Sequence, residues 1–407
     1  MTETPRVALF FDSEHLGQWT LREGFNHETA LSGTDRPLLW LWSQFLGINN
    51  ATKLYVTRPP STMLSGVVCS RNIAQAIELA SLDGVDVMIT HNIGEDQIIT
   101  GVDASKKFGV KFILWDQNGL THRVRQKAAE ESAFACIVCV STQQADEHRH
   151  TLAFKKTTVI YNCIDSEFWT CERSQIEPKL IVYLGSLTPS KGFHHLARAW
   201  PKIRAVIPSA RLIVCGSAKL YQSGAVVGRL GVASREYEDT EIIPYIGSSR
   251  QIARDNGVEF LGKTTPEQTR NALASARLAI VNPNVTGSVE CCSMASLEVQ
   301  ACGVPLIAGK AGGLLETVAD GYTGRLISNP GKLDNVIIKE LQNQYHNRLN
   351  TKERLAHLAK FDPIRIRQEW VSLVCAVKQG APITMPNFSL RPFYIKRYTK
   401  RLLEKLR

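Results

Sequence analysis

The sequence predicts an α/β protein with two Rossmann-like domains, each built on a parallel sheet. Short apolar runs recur along the chain, and many end in glycine or polar turns that lead into helical patterns, as buried parallel strands do. The chain has 407 residues, 44% of them hydrophobic. This length allows two domains of ordinary size, each with its own core.

Residues 1–172 form the predicted N-terminal domain. Its predicted strands are Arg6–Phe11, Thr52–Val56, Val85–Thr90, Lys111–Trp115 and Cys136–Ser141. A long polar loop, Asp12–Arg36, precedes a predicted helix at Pro37–Phe45. His91 and Asp116 follow two of the strands. Because parallel sheets bind ligands at this strand end, His91 is expected to line a cleft, with a buried structural histidine as an equal alternative.

Residues 173–362 form the predicted C-terminal domain, and residues 363–407 a helical segment that crosses back. The predicted strands of this second domain are Leu180–Leu184, Arg211–Cys215, Val258–Gly262, Leu278–Pro283 and Val304–Ala308. A helix is predicted at Pro266–Ala276 and another at Pro363–Val377. The polar segment 221–253 is predicted to be an insertion over the rim of the cleft.

The turn after Leu180–Leu184 contains Gly185, Ser186 and Lys191, and a helix is predicted from Lys191 onward. A lysine at a helix N-terminus is poorly placed relative to the helix dipole. Lys191 therefore indicates a bound anion, and a solvated surface lysine is the alternative.

Seven residues separate Glu290 from Glu298, and a short helix is predicted over 293–301. A helix that begins near Ser293 offers free backbone N–H groups to a phosphate. A carboxylate one to two turns into the helix can accept hydrogen bonds from ribose, and one in the preceding loop can accept them from a sugar. The alternative is a surface helix with two solvated glutamates, since this spacing alone is common.

This stretch resembles the donor-site signature of the retaining glycosyltransferases of family 4, which have the GT-B fold. The matching residues are Glu290, Glu298, Ala301, Cys302, Gly303, Pro305, Gly312, Gly313, Glu316, Val318, Gly321 and Gly324. Lys191 and Gly192 match a second motif of the family. The sequence departs from the family at Cys292 and Ser293, where phenylalanine and glycine are usual.

Two further departures concern residues that the family uses directly. Ser186 stands where the family has an arginine that reaches the donor diphosphate. Asp116, or Gln117 if the strand end shifts by one, stands where it has a histidine that lines the reaction centre. Gly33 lies in a segment that looks like a variant of the family's glycine-rich loop at the cleft. These departures motivate the alternative of a non-catalytic nucleotide-sugar-binding partner; a GT-B sugar-nucleotide epimerase is a more distant one.

The resemblance implies two domains that face a central cleft and transfer a sugar, with retention, from a UDP- or GDP-sugar to a glycan or lipid-linked acceptor. It implies a role in cell-surface polysaccharide or lipopolysaccharide synthesis, and neither a cofactor nor a metal ion is expected. The implied catalytic residues are Glu290, Asp116 and His91, and the implied donor-binding residues are Lys191, Glu298, Ser186, Gly185, Ser293 and Gly33.

Charge and cysteine usage indicate where the protein acts. Cys136 and Cys139 are two of ten scattered cysteines and lie in an apolar strand-like run, so buried reduced thiols are expected. Net charge is +10, and residues 391–407 hold seven basic side chains against one acidic. This amphipathic tail predicts contact with an anionic membrane surface, with a solvated helix or docking on the N-terminal domain as alternatives.

No apolar run reaches the roughly 18 residues that a membrane span needs. The first residues show no basic leader followed by an apolar stretch, so no signal peptide is expected. Together with the basic tail, these features predict a cytoplasmic protein at the inner face of the cell membrane, and no nucleic acid is expected among its partners.

Overall fold

The computed structural model describes residues 5–22, 24–25, 27–29, 31–218, 226–286, 290–342 and 351–384. Two α/β units with parallel sheets make up this part of the chain, which confirms the predicted fold class. The predicted membrane-binding segment 391–407 lies outside the described residues.

The first sheet has seven parallel strands in the order β3-β2-β1-β4-β5-β6-β7. Its strands are β1 (Val7–Phe11), β2 (Lys53–Val56), β3 (Val67–Cys69), β4 (Val87–His91), β5 (Lys111–Asp116), β6 (Phe134–Cys139) and β7 (Thr157–Val159). Its helices are α1 (Asp35–Leu46), α2 (Ile73–Leu82), α3 (Glu95–Phe108), α4 (His122–Glu130), α5 (Thr142–Asp146) and α6 (Ser166–Trp169).

The second sheet has six parallel strands in the order β10-β9-β8-β11-β12-β13. Its strands are β8 (Leu180–Leu184), β9 (Arg211–Cys215), β10 (Val258–Gly262), β11 (Leu278–Val281), β12 (Leu306–Gly309) and β13 (Arg325–Ile327). The remaining helices are α7 (Phe193–Val206), α8 (Arg235–Tyr237), α9 (Ile243–Ile246), α10 (Arg250–Asp255), α11 (Pro266–Ser275), α12 (Met294–Ala301), α13 (Leu314–Thr317), α14 (Leu333–Gln342), α15 (Thr351–Leu358) and α16 (Pro363–Gln379).

Central strands are buried along their whole length. Every residue of β1, β4 and β8 is buried, because helices cover both faces of a parallel sheet. Three strands that the sequence did not predict, β3, β7 and β13, have three residues each and lie at sheet edges. An edge strand buries less apolar surface, so its apolar run is too short to be recognised.

Residues 226–253 do not form the insertion over the cleft rim that the sequence predicted for 221–253, and residues 221–225 lie outside the described part of the chain. Leu230, Val232 and Tyr237 pack into the core of the second domain. The fully buried carboxylate of Glu238 accepts the backbone N–H groups of Leu230, Val232 and Ala233 at 2.6, 2.8 and 2.8 Å. One buried acidic side chain therefore organises a loop that has no strong apolar period.

The last described helix, α16, packs against the first domain although it follows the second in sequence. Ile366, Trp370 and Val374 belong to the same core as β1 and β5. The ring of Trp370 meets the ring of Trp115 edge-on, with centroids 4.8 Å apart. Among the described helices, none is both long enough and apolar enough to cross a membrane.

Candidate functional site

A cleft lies between the two domains at the carboxyl ends of β8, β9, β10 and β11. Residues of both domains line it, among them Gly33 and Arg36 of the first domain and Lys191 and Glu298 of the second. Strand β8 lies between β9 and β11, so the chain leaves it towards β9 and later returns on its other side. This reversal of strand order opens a crevice where α/β proteins bind ligands.

The floor of the cleft is made of two glycine turns that touch each other. Gly185 and Gly216 follow β8 and β9 and line the cleft. At Gly216, φ is +151°, and a Cβ atom would lie 1.9 Å from the carbonyl oxygen of Gly185. Only glycine fits this position, so the floor consists of backbone and leaves room for a ligand to approach it closely.

Lys191 is held at the mouth of the crevice by the turn that follows β8. It ends the 3-10 turn Pro189–Lys191, and α7 begins at Phe193, two residues later than predicted. The Tyr183 hydroxyl donates a hydrogen bond to the Lys191 carbonyl at 2.9 Å. The Lys191 ammonium contacts both Glu290 carboxylate oxygens, at 2.7 and 2.8 Å, so the two charges offset each other in this state.

Glu290 has a second partner in Asn282, the residue that follows β11. The Asn282 Nδ2 donates to Glu290 Oε2 at 3.1 Å. Asn282 has a φ of +35°, a left-handed conformation that costs energy for a residue other than glycine. Such backbone strain is concentrated at functional sites, where surrounding contacts maintain it. Here it holds the amide against Glu290.

Helix α12 points its first turn at the cleft. Ser293 is its N-cap, and the serine side chain accepts the backbone N–H of Ser296. Met294 and Ala295 line the cleft, and their N–H groups have no acceptor within the described part of the chain. The positive end of the helix dipole and two free N–H groups make this turn suitable for binding an anion.

Glu298 makes an ion pair with the other domain. Arg36 Nη1, from α1, donates to Glu298 Oε1 at 2.9 Å, and the two side chains are only 14% and 10% exposed. Burial raises the pKa of Glu298 above its usual value, and the charge of Arg36 opposes this effect. The contact joins α1 and α12 across the cleft.

His91 was predicted as a candidate catalytic residue, but it does not line the cleft. Its Nε2 lies 3.4 Å from Asp35 Oδ1, and Asp35 Oδ2 lies 3.0 Å from His15 Nε2. Burial raises the pKa of Asp35, but hydrogen bonds from His15 and His91 outweigh burial and keep this pKa below its usual value. His91 therefore serves a buried polar cluster, the structural alternative that the sequence left open.

Asp116 was predicted to face the acceptor, and its placement corrects that expectation. The side chain is fully buried, and its Oδ1 accepts the Gly119 N–H at 2.8 Å and the Asn92 Nδ2 at 3.1 Å. The carboxylate thus closes the turn after β5. Gln117, the alternative that the sequence left open at this position, lines the cleft, and its amide makes two hydrogen bonds with the Asn162 amide.

Within the described ranges, one group of side chains could hold a metal ion. Asp116, Cys139 and His148 are all buried, with their ligand atoms within 4.8 Å of one another. The Asp116 Oδ2 lies 3.7 Å from His148 Nε2. This group lies behind the cleft, and its residues do not line it.

Most of the predicted site residues meet at one place. The predicted residues that line the cleft are Gly33, Gly185, Ser186, Lys191, Glu290, Ser293 and Glu298. Three residues that were not predicted line it too: Arg36, Asn282 and Lys263. Arg36 carries a positive charge at the start of α1, so the helix-dipole argument that singled out Lys191 would also have found it. Nothing in the sequence indicates the left-handed backbone conformation of Asn282.

Comparison with known families and proteins points to one class. Residues 172–357 match the family model described as Glycosyl transferases group 1. The chain is 33% identical over 162 residues to a GDP-mannose-dependent monoacylated alpha-(1-6)-phosphatidylinositol monomannoside mannosyltransferase of Corynebacterium glutamicum, covering 38% of this chain and 36% of that one. It is 29% identical over 177 residues to the lipopolysaccharide 1,2-N-acetylglucosaminetransferase of Salmonella typhimurium, covering 43% and 40%. The matches therefore span well under half the length of these relatives.

Solved structures resemble the chain over nearly its whole length. The Anabaena HepE protein in complex with UDP-glucose has a TM-score of 0.66 at 16% identity, covering 91% of this chain and 99% of HepE. Sucrose-phosphate synthase from Thermosynechococcus elongatus has a TM-score of 0.68 at 13% identity, covering 93% and 100%. At such identities the likeness shows the fold alone, which is the two-domain GT-B fold.

Proposed function

We propose that this protein is a glycosyltransferase that moves a sugar from a nucleotide-sugar donor to a glycan or lipid-linked acceptor. The observation that carries the proposal is the cleft, in which Lys191, Glu290, Glu298 and the first turn of α12 converge at the ends of β8–β11. A cation and free N–H groups suit a diphosphate, and nearby carboxylates suit hydroxyl groups. The nucleotide-sugar donor has both kinds of group.

In the proposed complex, Lys191 and the Met294 and Ala295 amides bind the diphosphate. The glycine turn at Gly185 and Ser186 gives the phosphates close access to the cleft floor. Because these cationic and dipolar groups are fixed before the reaction, they stabilise the charge that develops on the departing diphosphate. We propose that they do so without a metal ion.

The two carboxylates have different proposed partners. Glu298 lies just over one helical turn beyond Met294 and is proposed to accept hydrogen bonds from the ribose. Glu290, held by Lys191 and Asn282, is proposed to accept them from the donor sugar. We propose that the departing diphosphate oxygen accepts the proton of the acceptor hydroxyl. That oxygen lies on the face the acceptor attacks if the anomeric configuration is retained.

The acceptor is proposed to enter from the first domain, where Gly33, Gln117 and Asn118 line the opposite wall of the cleft. The names of the matched relatives, which act on phosphatidylinositol mannoside and lipopolysaccharide, support an acceptor of the lipid-linked or cell-surface polysaccharide class. We propose a cytoplasmic enzyme that the basic segment 391–407 holds at the inner membrane face. Deletion of 391–407 is expected to release the protein from anionic vesicles, and unchanged binding would contradict this.

The test of the function is donor binding and hydrolysis across UDP-, GDP- and ADP-sugars, with EDTA present. We expect slow hydrolysis of one donor by the wild type and loss of most of its binding in Glu298→Gln. Glu340→Gln, which alters an ion pair elsewhere in the second domain, is the matched control. Failure of every donor to bind would refute the proposal. Binding without turnover, even with a membrane glycolipid extract, would favour the non-catalytic partner, which no observation here supports.

A further inference from the structure

Arg36 is the most deeply buried cation of the cleft. Within the described residues, the cleft lining holds the cations Arg36, Lys191 and Lys263 and the carboxylates Glu290 and Glu298. The Lys191 ammonium already donates to both carboxylate oxygens of Glu290, and Lys263 is exposed. The Arg36 side chain is 14% exposed, so solvent screens its charge less than that of the other two.

Most of the hydrogen-bonding capacity of Arg36 is unused. Of its side-chain nitrogens, Nη1 donates to Glu298, whereas the buried Nε has no acceptor among the described residues. A guanidinium carries five N–H donors in a rigid fork that fits a phosphate in two-point contacts. Arg36 can therefore keep Glu298 and bind a second anion with the rest of its fork.

Because Arg36 contacts Glu298 of α12, its unused donors lie near the proposed phosphate site. Glu298 follows Met294 by four residues, so the two lie on one face of the helix about 6 Å apart along its axis. The free amides of Met294 and Ala295 thus begin about one turn from the atom that Arg36 contacts. A phosphate at those amides lies within reach of a long arginine side chain.

A diphosphate needs more positive charge than the second domain supplies there. Lys191 is partly neutralised by Glu290, and Ser186, on the cleft floor, is neutral and buried, with its hydroxyl 3.4 Å from that of Thr188. The N-terminus of α12 contributes only about half a charge. Arg36 lines the cleft from the first domain and is less exposed than Lys263, so it can supply this further positive charge.

We infer that Arg36 determines specificity for the nucleoside diphosphate part of the donor by contacting a phosphate from the first domain while it remains paired with Glu298. The inference rests on the proposed function. Helix α1 then takes a direct part in donor binding. A nucleoside contacts the second domain alone, whereas a nucleoside diphosphate contacts both domains. The opposing possibility is that Arg36 only locks Glu298 and hinders the ligand.

The test compares nucleosides with nucleoside diphosphates. Dissociation constants for uridine, UDP, guanosine and GDP are measured by ligand-observed NMR and calorimetry on the full chain. The variants are Arg36→Gln, which can still hydrogen-bond Glu298 but carries no charge, and Arg36→Lys, which keeps the charge. Arg58→Gln removes an exposed ion pair with Glu14 in the same domain and is the matched control. Thermal unfolding checks that each variant is folded.

For the nucleotide that the wild type binds, we expect Arg36→Gln to lower the preference for diphosphate over nucleoside by about tenfold or more. Nucleoside affinity is expected to stay within about twofold, with Arg36→Lys retaining most of the preference and Arg58→Gln all of it. An unchanged preference in Arg36→Gln, or tighter binding of both ligands, overturns the inference and leaves the proposed function standing. If the wild type binds none of these four ligands and no ADP-sugar, the proposed function fails, and the inference fails with it.

Discussion

At the residue scale, Lys191 and Glu290 form an ion pair in the cleft. The ammonium lies 2.7 and 2.8 Å from the two carboxylate oxygens, and both side chains are largely buried. A diphosphate that binds Lys191 competes with Glu290 for that ammonium. Asn282 provides Glu290 with a second donor that stays in place when Lys191 turns to a phosphate.

Substituting Glu290 tests this competition. In Glu290→Gln the ammonium loses its anionic partner, so the affinity for the nucleoside diphosphate is expected to stay equal or to rise. Turnover of the nucleotide sugar is expected to fall by about a hundredfold, as when a preorganised polar contact is removed. Calorimetry and initial rates measure the two effects. Glu241→Gln, which loses an exposed ion pair with Arg198, is the control, and wild-type turnover in Glu290→Gln would contradict the assignment.

Cys171, in the segment between the two domains, is a second residue with altered chemistry. Its Sγ lies 3.6 Å from the Cys302 carbonyl oxygen. A separate hydrogen bond with the Cys302 thiol, aided by the charges of Arg173, Arg270 and Arg354, lowers the pKa of Cys171 to about 7, although partial burial opposes this; the same pairing raises the pKa of Cys302. The thiolate is the reactive form of cysteine, so this thiol is activated near neutral pH.

Alkylation by iodoacetamide is expected to show this activation directly. Because the pKa of Cys171 is lowered to about 7, the thiolate fraction and the rate should rise through pH 7 and level off above about pH 8. Mass spectrometry of the modified peptide gives the rate, with the exposed Cys69 as an internal reference and Cys171→Ser as the control. A rate that keeps rising beyond pH 9 would show that the thiol is not activated.

At the element scale, α12 combines two tasks in eight residues. Its first turn faces the cleft, and its interior is held by polar contacts: Ser296 donates to Thr317 at 2.9 Å and Gln300 to the Thr317 carbonyl at 2.7 Å. Arg354 caps the other end by donating to the Gln300 and Ala301 carbonyls. A helix this short is marginal alone, so these contacts fix the direction of its N-terminus.

Ser293→Ala removes the N-cap of α12 and is expected to lower the free energy of unfolding by about 1 kcal/mol. The proposed phosphate site should suffer too, because the first turn frays, and nucleoside diphosphate affinity should fall several-fold. Ser249→Ala removes an equivalent N-cap from α10, which lies away from the cleft. Chemical denaturation and calorimetry on both variants separate the effects. Equal affinities in the two variants would mean that the first turn of α12 does not bind the ligand.

At the scale of the whole molecule, side-chain contacts join the two domains. Glu316, in α13, accepts the Thr142 N–H at 2.9 Å, the Gln143 N–H at 2.8 Å and the Tyr161 hydroxyl at 2.7 Å, all from the first domain. Arg36 and Glu298 form another contact across the cleft. The carboxylate of Glu316 therefore connects the second domain to the N-terminus of α5.

Glu316→Ala is expected to destabilise the protein by about 2–4 kcal/mol, because two N–H groups and a hydroxyl lose a charged acceptor. Tyr161→Phe removes one of these three bonds and should cost about 1 kcal/mol. Hydrogen exchange at Thr142 and Gln143 should accelerate in Glu316→Ala. Glu340→Ala, whose partner Arg325 lies in the same domain, is the control. Unchanged exchange at Thr142 and Gln143 would show that Glu316 does not hold the interface.

The sequence alone accounts for the alternation of buried strands and helices, because a strand covered on both faces must be apolar along its length. It therefore predicted Leu180–Leu184, Arg211–Cys215 and Val258–Gly262 with the bounds that the structure has. It also predicted that Lys191, Glu290 and Glu298 share one strand edge, since consecutive turns of a parallel sheet open on the same side.

What these residues contact depends on packing between distant parts of the chain. The pairing of Arg36 with Glu298 joins positions 262 residues apart, and no local pattern encodes a contact formed by packing one domain against another. The same holds for Asp116 and His91, whose strand-end positions fit a reaction centre but whose carboxylate and imidazole contact groups inside the first domain. Local periodicity sets which side chains reach the strand ends, and long-range packing sets which of them face the cleft.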